Sequence, residues 1–255
     1  MAKRSSPAPK KPRKASPKST PADSVNASTR SIVDALKRLG TQRVRDDMAN
    51  RYGITGPSAS TAFGVGMAAI QKVAKGAKSK DATRNHALAA ALWDWKGPGQ
   101  YEARMVAIYV DEPALVTGPQ MDRWTKDFDN WGICDTACFK LFDQVAPKLA
   151  FERAERWCAK REEFIRRAGL ALLACLALHN KELKDKLFLR PLELVELAAT
   201  DERNFVKKGA NWALRAIGRR SRDLNAAATT IARRLADSTN PAPRWVGKDA
   251  LKALE

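Results

Sequence analysis

In the stretch Asp129-Asn130-Trp131-Gly132-Ile133-Cys134-Asp135, an indole and a carboxylate stand four residues apart. On a helix that spacing puts Trp131 and Asp135 on one face. A carboxylate held beside an indole in a basic protein suits a site that handles a cation, such as a sugar or base of nucleic acid in a cationic state. Asn130 is a good N-cap, which places Trp131 at the helix start. Gly132 falls in the first turn, where its cost of about 1 kcal/mol in a helix interior is reduced. Cys138 continues the same face inward. The spacing also suits a purely structural reading, with Trp131 anchoring the core and Asp135 paired to an arginine such as Arg167.

Two other segments carry side chains that suit phosphate. In Phe164-Ile165-Arg166-Arg167-Ala168-Gly169-Leu170, two arginines open an apolar helix, and arginine grips phosphate with a planar fork of donors. In Phe205-Val206-Lys207-Lys208-Gly209-Ala210-Asn211-Trp212-Ala213-Leu214-Arg215, basic residues flank a tryptophan on an amphipathic helix, followed by Arg219 and Arg220. Basic faces interleaved with aromatics are common on nucleic-acid surfaces. Each segment alone also fits a solvated helix with a core tryptophan.

The elements that must position these residues are helical. Pro and Gly punctuate Ala/Leu-rich segments with apolar positions three and four apart. Helices are expected over 25–39, 41–52, 64–76, 80–95, 99–110, 119–128, 131–145, 148–159, 162–179, 183–198, 202–218, 222–238 and 246–254. No segment alternates β-branched residues in the manner of a strand. Many short helices joined by short turns predict an all-α stack of antiparallel helix pairs with a concave basic face. Residues 1–24, rich in Lys, Pro, Ser and Ala, predict a disordered basic tail.

The chain carries 46 Lys and Arg against 28 Asp and Glu, a net charge of +18. Residues 1–30 hold eight bases and one acid, so the remaining 225 residues still have 38 bases against 27 acids. A globular part that is basic without its tail points to a polyanionic partner. Cys134, Cys138, Cys158 and Cys175 include no Cys-x-x-Cys pair and sit among apolar residues. They read as buried free thiols in a reducing, cytoplasmic compartment. His86 and His179 lie far from each other and from any cysteine cluster, so no metal and no cofactor are expected. The longest apolar run, 168–178, is too short to span a bilayer, and no secretory signal or membrane partner is expected.

Read together, several pieces resemble the DNA alkylation repair glycosylases built from HEAT-like repeats, the AlkD type, over most of residues 40–235. The pieces are Phe63-Gly64-Val65, Leu92-Trp93 followed by Tyr101-Glu102-Ala103-Arg104, Trp131-x-x-x-Asp135, Arg166-Arg167-Ala168, and Lys207 through Arg215. The resemblance implies a HEAT-like superhelix over 25–255 acting on duplex DNA that contains alkylated purines, as a monomer. It implies that Asp135 is the catalytic carboxylate and that Trp131 and Trp212 are aromatic walls of the site. It also implies that Arg167 contacts the DNA backbone near the lesion and that Phe205 stands at an aromatic position. Two departures stand out: Gly132 occupies a position commonly acidic in the family, and Cys134 replaces a more usual aliphatic residue.

That chemistry needs little machinery. A purine alkylated at N3 or N7 is positively charged and leaves as a neutral base, so no general acid is required. One carboxylate can stabilise the oxocarbenium-like sugar and position water, whereas sugar hydrolases usually use two. Base flipping, common in other glycosylases, is not implied. DNA contacts are expected from Arg166, Arg167, Phe205, Lys207, Lys208, Arg215, Arg219 and Arg220. The alternative is a non-catalytic helical-repeat protein that binds damaged or structured DNA.

Overall fold

The computed structural model describes residues 20–255, and every described element is helical. In chain order the helices are α1 (Pro21–Leu39), α2 (Gln42–Asp46), α3 (Pro57–Ser60), α4 (Met67–Ala77), α5 (Ala82–Trp93), α6 (Gln100–Val110), α7 (Gly118–Lys126), α8 (Trp131–Lys140), α9 (Pro147–Cys158), α10 (Glu163–His179), α11 (Leu189–Ala198), α12 (Asn204–Gly218), α13 (Arg222–Ala236) and α14 (Pro241–Leu254).

The packing pattern resolves two layers. In one, α4, α6, α8, α10, α12 and α14 pack each on the next. In the other, α5 backs α6, α9 backs α10, and α11 and α13 back α12, while α1 covers α4 and α5. This is the expected stack of helix pairs. Each pair shields one face of its neighbour, so the core runs the length of the molecule. At its centre, Ala168 through Ala177 of α10 are all buried.

Several boundaries differ from the expected ones, each for a local reason. Composition extends the tail to residue 24, yet α1 starts at Pro21. The Thr20 hydroxyl accepts from the Asp23 N–H, and the Asp23 carboxylate accepts from the Thr20 N–H at 3.0 Å, a reciprocal cap that the polar composition hid. The rest of the expected tail lies outside the described residues. The last helix begins at Pro241 rather than near 246. Pro241 and Pro243 sit in its first turn, where a missing N–H leaves no hydrogen bond unmade. The helix expected over 131–145 stops at Lys140, because Leu141 leaves helical geometry (φ −138°, ψ −57°) and a short 3-10 turn, Phe142–Gln144, follows.

The family-like pieces around residues 63–65, 92–93 and 101–104 hold the first half together. Buried Glu102 accepts from the N–H groups of Gly64 (2.9 Å) and Val65 (3.3 Å). Gly64 needs its φ of +79°, and a Cβ there would run into the Thr41 carbonyl. Trp93 stacks on Trp124 at 4.0 Å between ring centroids and donates its N–H to Asp127 at 2.8 Å. Arg104 lies over the Trp93 ring and donates to the Asp127 carbonyl at 2.9 Å.

The start of α8 is fixed by a polar knot. The Asn130 side chain caps the helix by accepting from the Ile133 N–H at 3.1 Å. It also donates to Asp129 (2.7 Å) and to the Ser58 hydroxyl (3.1 Å), and Asp129 accepts from the Ser58 N–H, tying α3 to α8. Asn130 is buried, so Asn130→Ala removes a cap and leaves polar partners unmatched. A loss of about 1–3 kcal/mol is expected in urea unfolding. A midpoint shift equivalent to less than a few tenths of a kcal/mol would show that the knot does not anchor α8.

Candidate active site

Asp135 lies in the second turn of α8 and meets Arg167 of α10 in a two-pronged ion pair. Arg167 Nε donates to Oδ1 at 2.8 Å and Nη2 to Oδ2 at 2.6 Å. The third arm, Nη1, donates to the Phe205 backbone carbonyl of α12 at 2.7 Å. The guanidinium also lies over the Phe205 ring, which packs on Phe164. The Arg167 side chain is 9% exposed and that of Asp135 is 19% exposed. Two small residues permit this closeness. Gly169 abuts the backbone of α9, and a Cβ on Gly209 would meet Leu170 at 3.3 Å.

The electrostatics are those of a largely dry pair. Burial pushes the Asp135 carboxyl above its ordinary value, against the charge and hydrogen bonds of Arg167 that pull it down. For Arg167, burial acts to lower the pKa, but the charge and hydrogen bonds of Asp135 more than offset it and hold the guanidinium protonated.

Asp135 opens on one side into a pocket of about 150 Å³ lined by Tyr109 of α6, Asp135, Thr136, Phe139 and Lys140 of α8, and Trp212 of α12. Arg167 is not part of this lining. Asp135 therefore touches both the pocket and the guanidinium. Trp212, expected from sequence, joins Asp135 there. Trp131 does not line the pocket; it sits one turn earlier, about 6 Å along the helix axis, half-buried, with its N–H donated to the Tyr52 carbonyl at 2.9 Å. Tyr109 and Phe139 line the site although the sequence does not mark them. Nothing in their local sequence separates them from the core positions around them.

Three of the arginines expected at DNA are engaged within the protein. Arg167 has no exposed fork to offer phosphate, because its three nitrogens are engaged by Asp135 and Phe205. Arg166 donates to the Cys158 carbonyl (3.0 Å) and to Asp201 (2.9 Å), linking α10 to the loop before α12. Arg220, 3% exposed, donates to the carbonyls of Ala177, Asn180 and Leu183 and closes off the end of α10. Phe205 serves Arg167 from within. Lys208 and Arg219 are exposed, and Arg215 is half-buried. Lys207 reaches over the exposed ring of Trp245, 5.5 Å from its centroid. All four cysteines are free and buried, as expected.

Gly132, where the resemblance leads one to expect an acid, is buried. A Cβ there would come within 2.9 Å of the Tyr101 hydroxyl and 3.3 Å of Ile54. Tyr101 thus occupies the space a longer side chain would need.

Residues 32–254 match the family described as DNA alkylation repair enzyme. The chain belongs to that family. Among solved structures it is similar to a protein described as one of a new family related to the HEAT-like repeat DNA glycosylases, with affinity for branched DNA structures. The two are 21% identical over 87% of this chain and 93% of that one, with a TM-score of 0.65, so they share the HEAT-like fold. A designed armadillo repeat protein in complex with a (KR)4 peptide is also similar, at 15% identity over 92% and 98% of the two chains, with a TM-score of 0.47. No protein with a curated description matches this chain. Among the described residues no helix of this repair-family chain is long and apolar enough to cross a membrane.

The carboxylates beside the two arginines titrate in opposite senses. Hydrogen bonds from Arg203, supplemented by its charge and by Arg166, hold the Asp201 carboxyl below its ordinary value against a smaller effect of burial. A lowered value means a contribution to stability that is present above about pH 4 and lost as pH falls through the folded value. Asp201→Asn is therefore expected to be less stable than the wild type at pH 7 and to show a flatter decline between about pH 5 and 2. Parallel curves of urea midpoint against pH for the two proteins would refute this assignment.

Proposed function

We propose that this family member is a monofunctional DNA glycosylase that hydrolyses the N-glycosidic bond of N3- or N7-alkylated purines in duplex DNA. The observation that carries the reading is the Asp135 carboxylate, held rigid by Arg167 and turned to a pocket shared with Tyr109 and Trp212. A carboxylate fixed in this way needs no reorganisation when a sugar cation forms beside it. Arg167 takes one lone pair of each oxygen, and a remaining one can align a water for attack at the anomeric carbon. The Trp212 face, with Trp131 one turn away, supports the cationic nucleotide through cation–π and C–H contacts. The lesion itself supplies the leaving group, so the lack of a partnering acid is consistent with the chemistry. A pocket of this size is too small to enclose a flipped purine together with its sugar, in keeping with a reaction that proceeds without base flipping.

A second reading has its own support. Both Asp135 oxygens are bonded to Arg167, which equally suits a structural pair, and the similar solved structure is described as having affinity for branched DNA. On that reading the chain binds branched DNA more tightly than duplex and releases no base.

Release of methylated purine from alkylated duplex separates the two. Asp135→Asn is expected to lower excision by roughly a hundredfold or more, about 3 kcal/mol of barrier. It also strands a buried guanidinium, at a cost to folding of about 3–5 kcal/mol. The double variant Asp135→Asn with Arg167→Met removes the stranded charge. It is expected to regain thermal stability and to remain inactive. Wild-type excision in either variant would falsify the mechanism.

Phosphate binding on the α12 side falls to Lys207, Lys208, Arg215 and Arg219. Charge reversal at Lys207 and Lys208 is expected to weaken duplex binding across sequences. For every phosphate that is no longer neutralised, the log–log salt dependence should flatten by about 0.9. Unchanged affinity and slope would move the DNA to another face.

A further inference from the structure

The chain has two histidines, and each sets Nδ1 against a buried aspartate. The two pairs differ in how the carboxylate is completed. Asp111, partner of His86, has both oxygens bonded: Oδ1 to His86 (2.6 Å) and the Glu112 N–H (2.8 Å), Oδ2 to the Gln120 amide (2.7 Å). That pair is closed and structural. Asp143, partner of His179, has Oδ2 on the imidazole while its buried Oδ1 has no partner. Asp143 is 1% exposed and His179 is 37% exposed, so the ring faces solvent with the carboxylate behind it.

This second pair lines a cleft of about 510 Å³ with Phe139, Lys140, Gln144 and Asn180. Phe139 and Lys140 also line the Asp135 pocket, so the two cavities are neighbours along the end of α8. The ring is held in place from several sides. Phe139 meets it edge-on at 4.3 Å, Asn180 donates to the Asp143 carbonyl at 3.0 Å, and Arg220 pins the carbonyls of Ala177 and Asn180. Lys140 lies over the Phe139 ring with Nζ 4.7 Å from its centroid.

We propose that His179, Asp143 and Lys140 form a subsite for a DNA phosphodiester next to the Asp135 pocket, with the imidazole bound in its doubly protonated form. The proposal rests on the reading of this chain as a DNA-binding protein. Its physical basis is charge balance. Burial pushes the Asp143 carboxyl above its ordinary value, against the hydrogen bond and charge of His179. A buried carboxylate with one oxygen orphaned is best compensated by a full positive charge on its single partner. A cation there, with the Lys140 ammonium on the same cleft, is in turn balanced by a phosphate oxygen accepting from Nε2–H and Nζ–H. The charged groups about the ring are Lys140 from the end of α8, Asp143 from the 3-10 turn that follows it, Lys181 just after α10, and Arg220 from beyond α12.

Two histidines make the test direct. Imidazole 1H–15N correlation spectra of the full chain are recorded while undamaged duplex is added. The Nε2–H signal of His179 is expected to shift as a phosphate oxygen accepts from it, while that of His86 stays, which serves as an internal control. His179→Gln and Lys140→Gln are each expected to weaken duplex binding roughly three- to tenfold, and Lys140→Gln to flatten the salt slope by about 0.9. Duplex binding with an unmoved His179 signal overturns the subsite and leaves the proposed excision chemistry standing. Inorganic phosphate moving the signal as strongly as duplex also overturns it, since the site then prefers no DNA. Absence of any duplex binding overturns both readings.

Discussion

The ion pair between Asp135 and Arg167 joins the three helices that build the site. One guanidinium takes the carboxylate of α8 with two arms, belongs to α10, and holds a backbone carbonyl of α12 with its third. Few side chains other than arginine can do this, because only a planar fork with five donors serves two acceptors in fixed directions at once. The consequence is that the position of Asp135 is a property of three repeats rather than of one helix. A charge pair this dry is a weak source of net stability, since desolvation of both ions offsets most of their attraction. What it does fix is the direction of the carboxylate.

The same economy of donors recurs through the molecule. Arg104, Arg166 and Arg220 each bind backbone carbonyls across helix boundaries, and Arg104 and Arg220 also cover aromatic rings. In a stack of short helices, many carbonyl ends face a neighbouring repeat rather than water, and arginine is long enough to reach them. A few of the arginines are therefore internal mortar. Most of the lysines and arginines stay exposed to a polyanion, Lys140, Lys208 and Arg219 among them.

The motifs of the family divide along the same line. Gly64 and Glu102, and Trp93 with Arg104, are parts of two buried polar clusters that fix the first repeats. Gly132 and Tyr101 share one space, so the departure at Gly132 has a steric counterpart on α6. Only Asp135 and Trp212 of the expected residues meet in a pocket, and they are joined by Tyr109 and Phe139, which local sequence could not mark.

The sequence by itself determined a good deal. Apolar spacing and Pro/Gly punctuation gave the helices, because amphipathic periodicity is a local property of the chain. The common face of Trp131 and Asp135, the buried thiols and the family resemblance were legible for the same reason, since they depend on residue type and short spacing. Tertiary structure alone decided which charges are free. Arg166, Arg167 and Arg220 look like Lys208 and Arg219 in one dimension, yet their partners lie some thirty to forty residues away. It also decided that His86 closes a structural pair while His179 stands before an unsatisfied carboxylate. Charge is written in the residue, whereas desolvation and partnership arise only when distant segments meet, and it is those that separate a structural ion from a functional one.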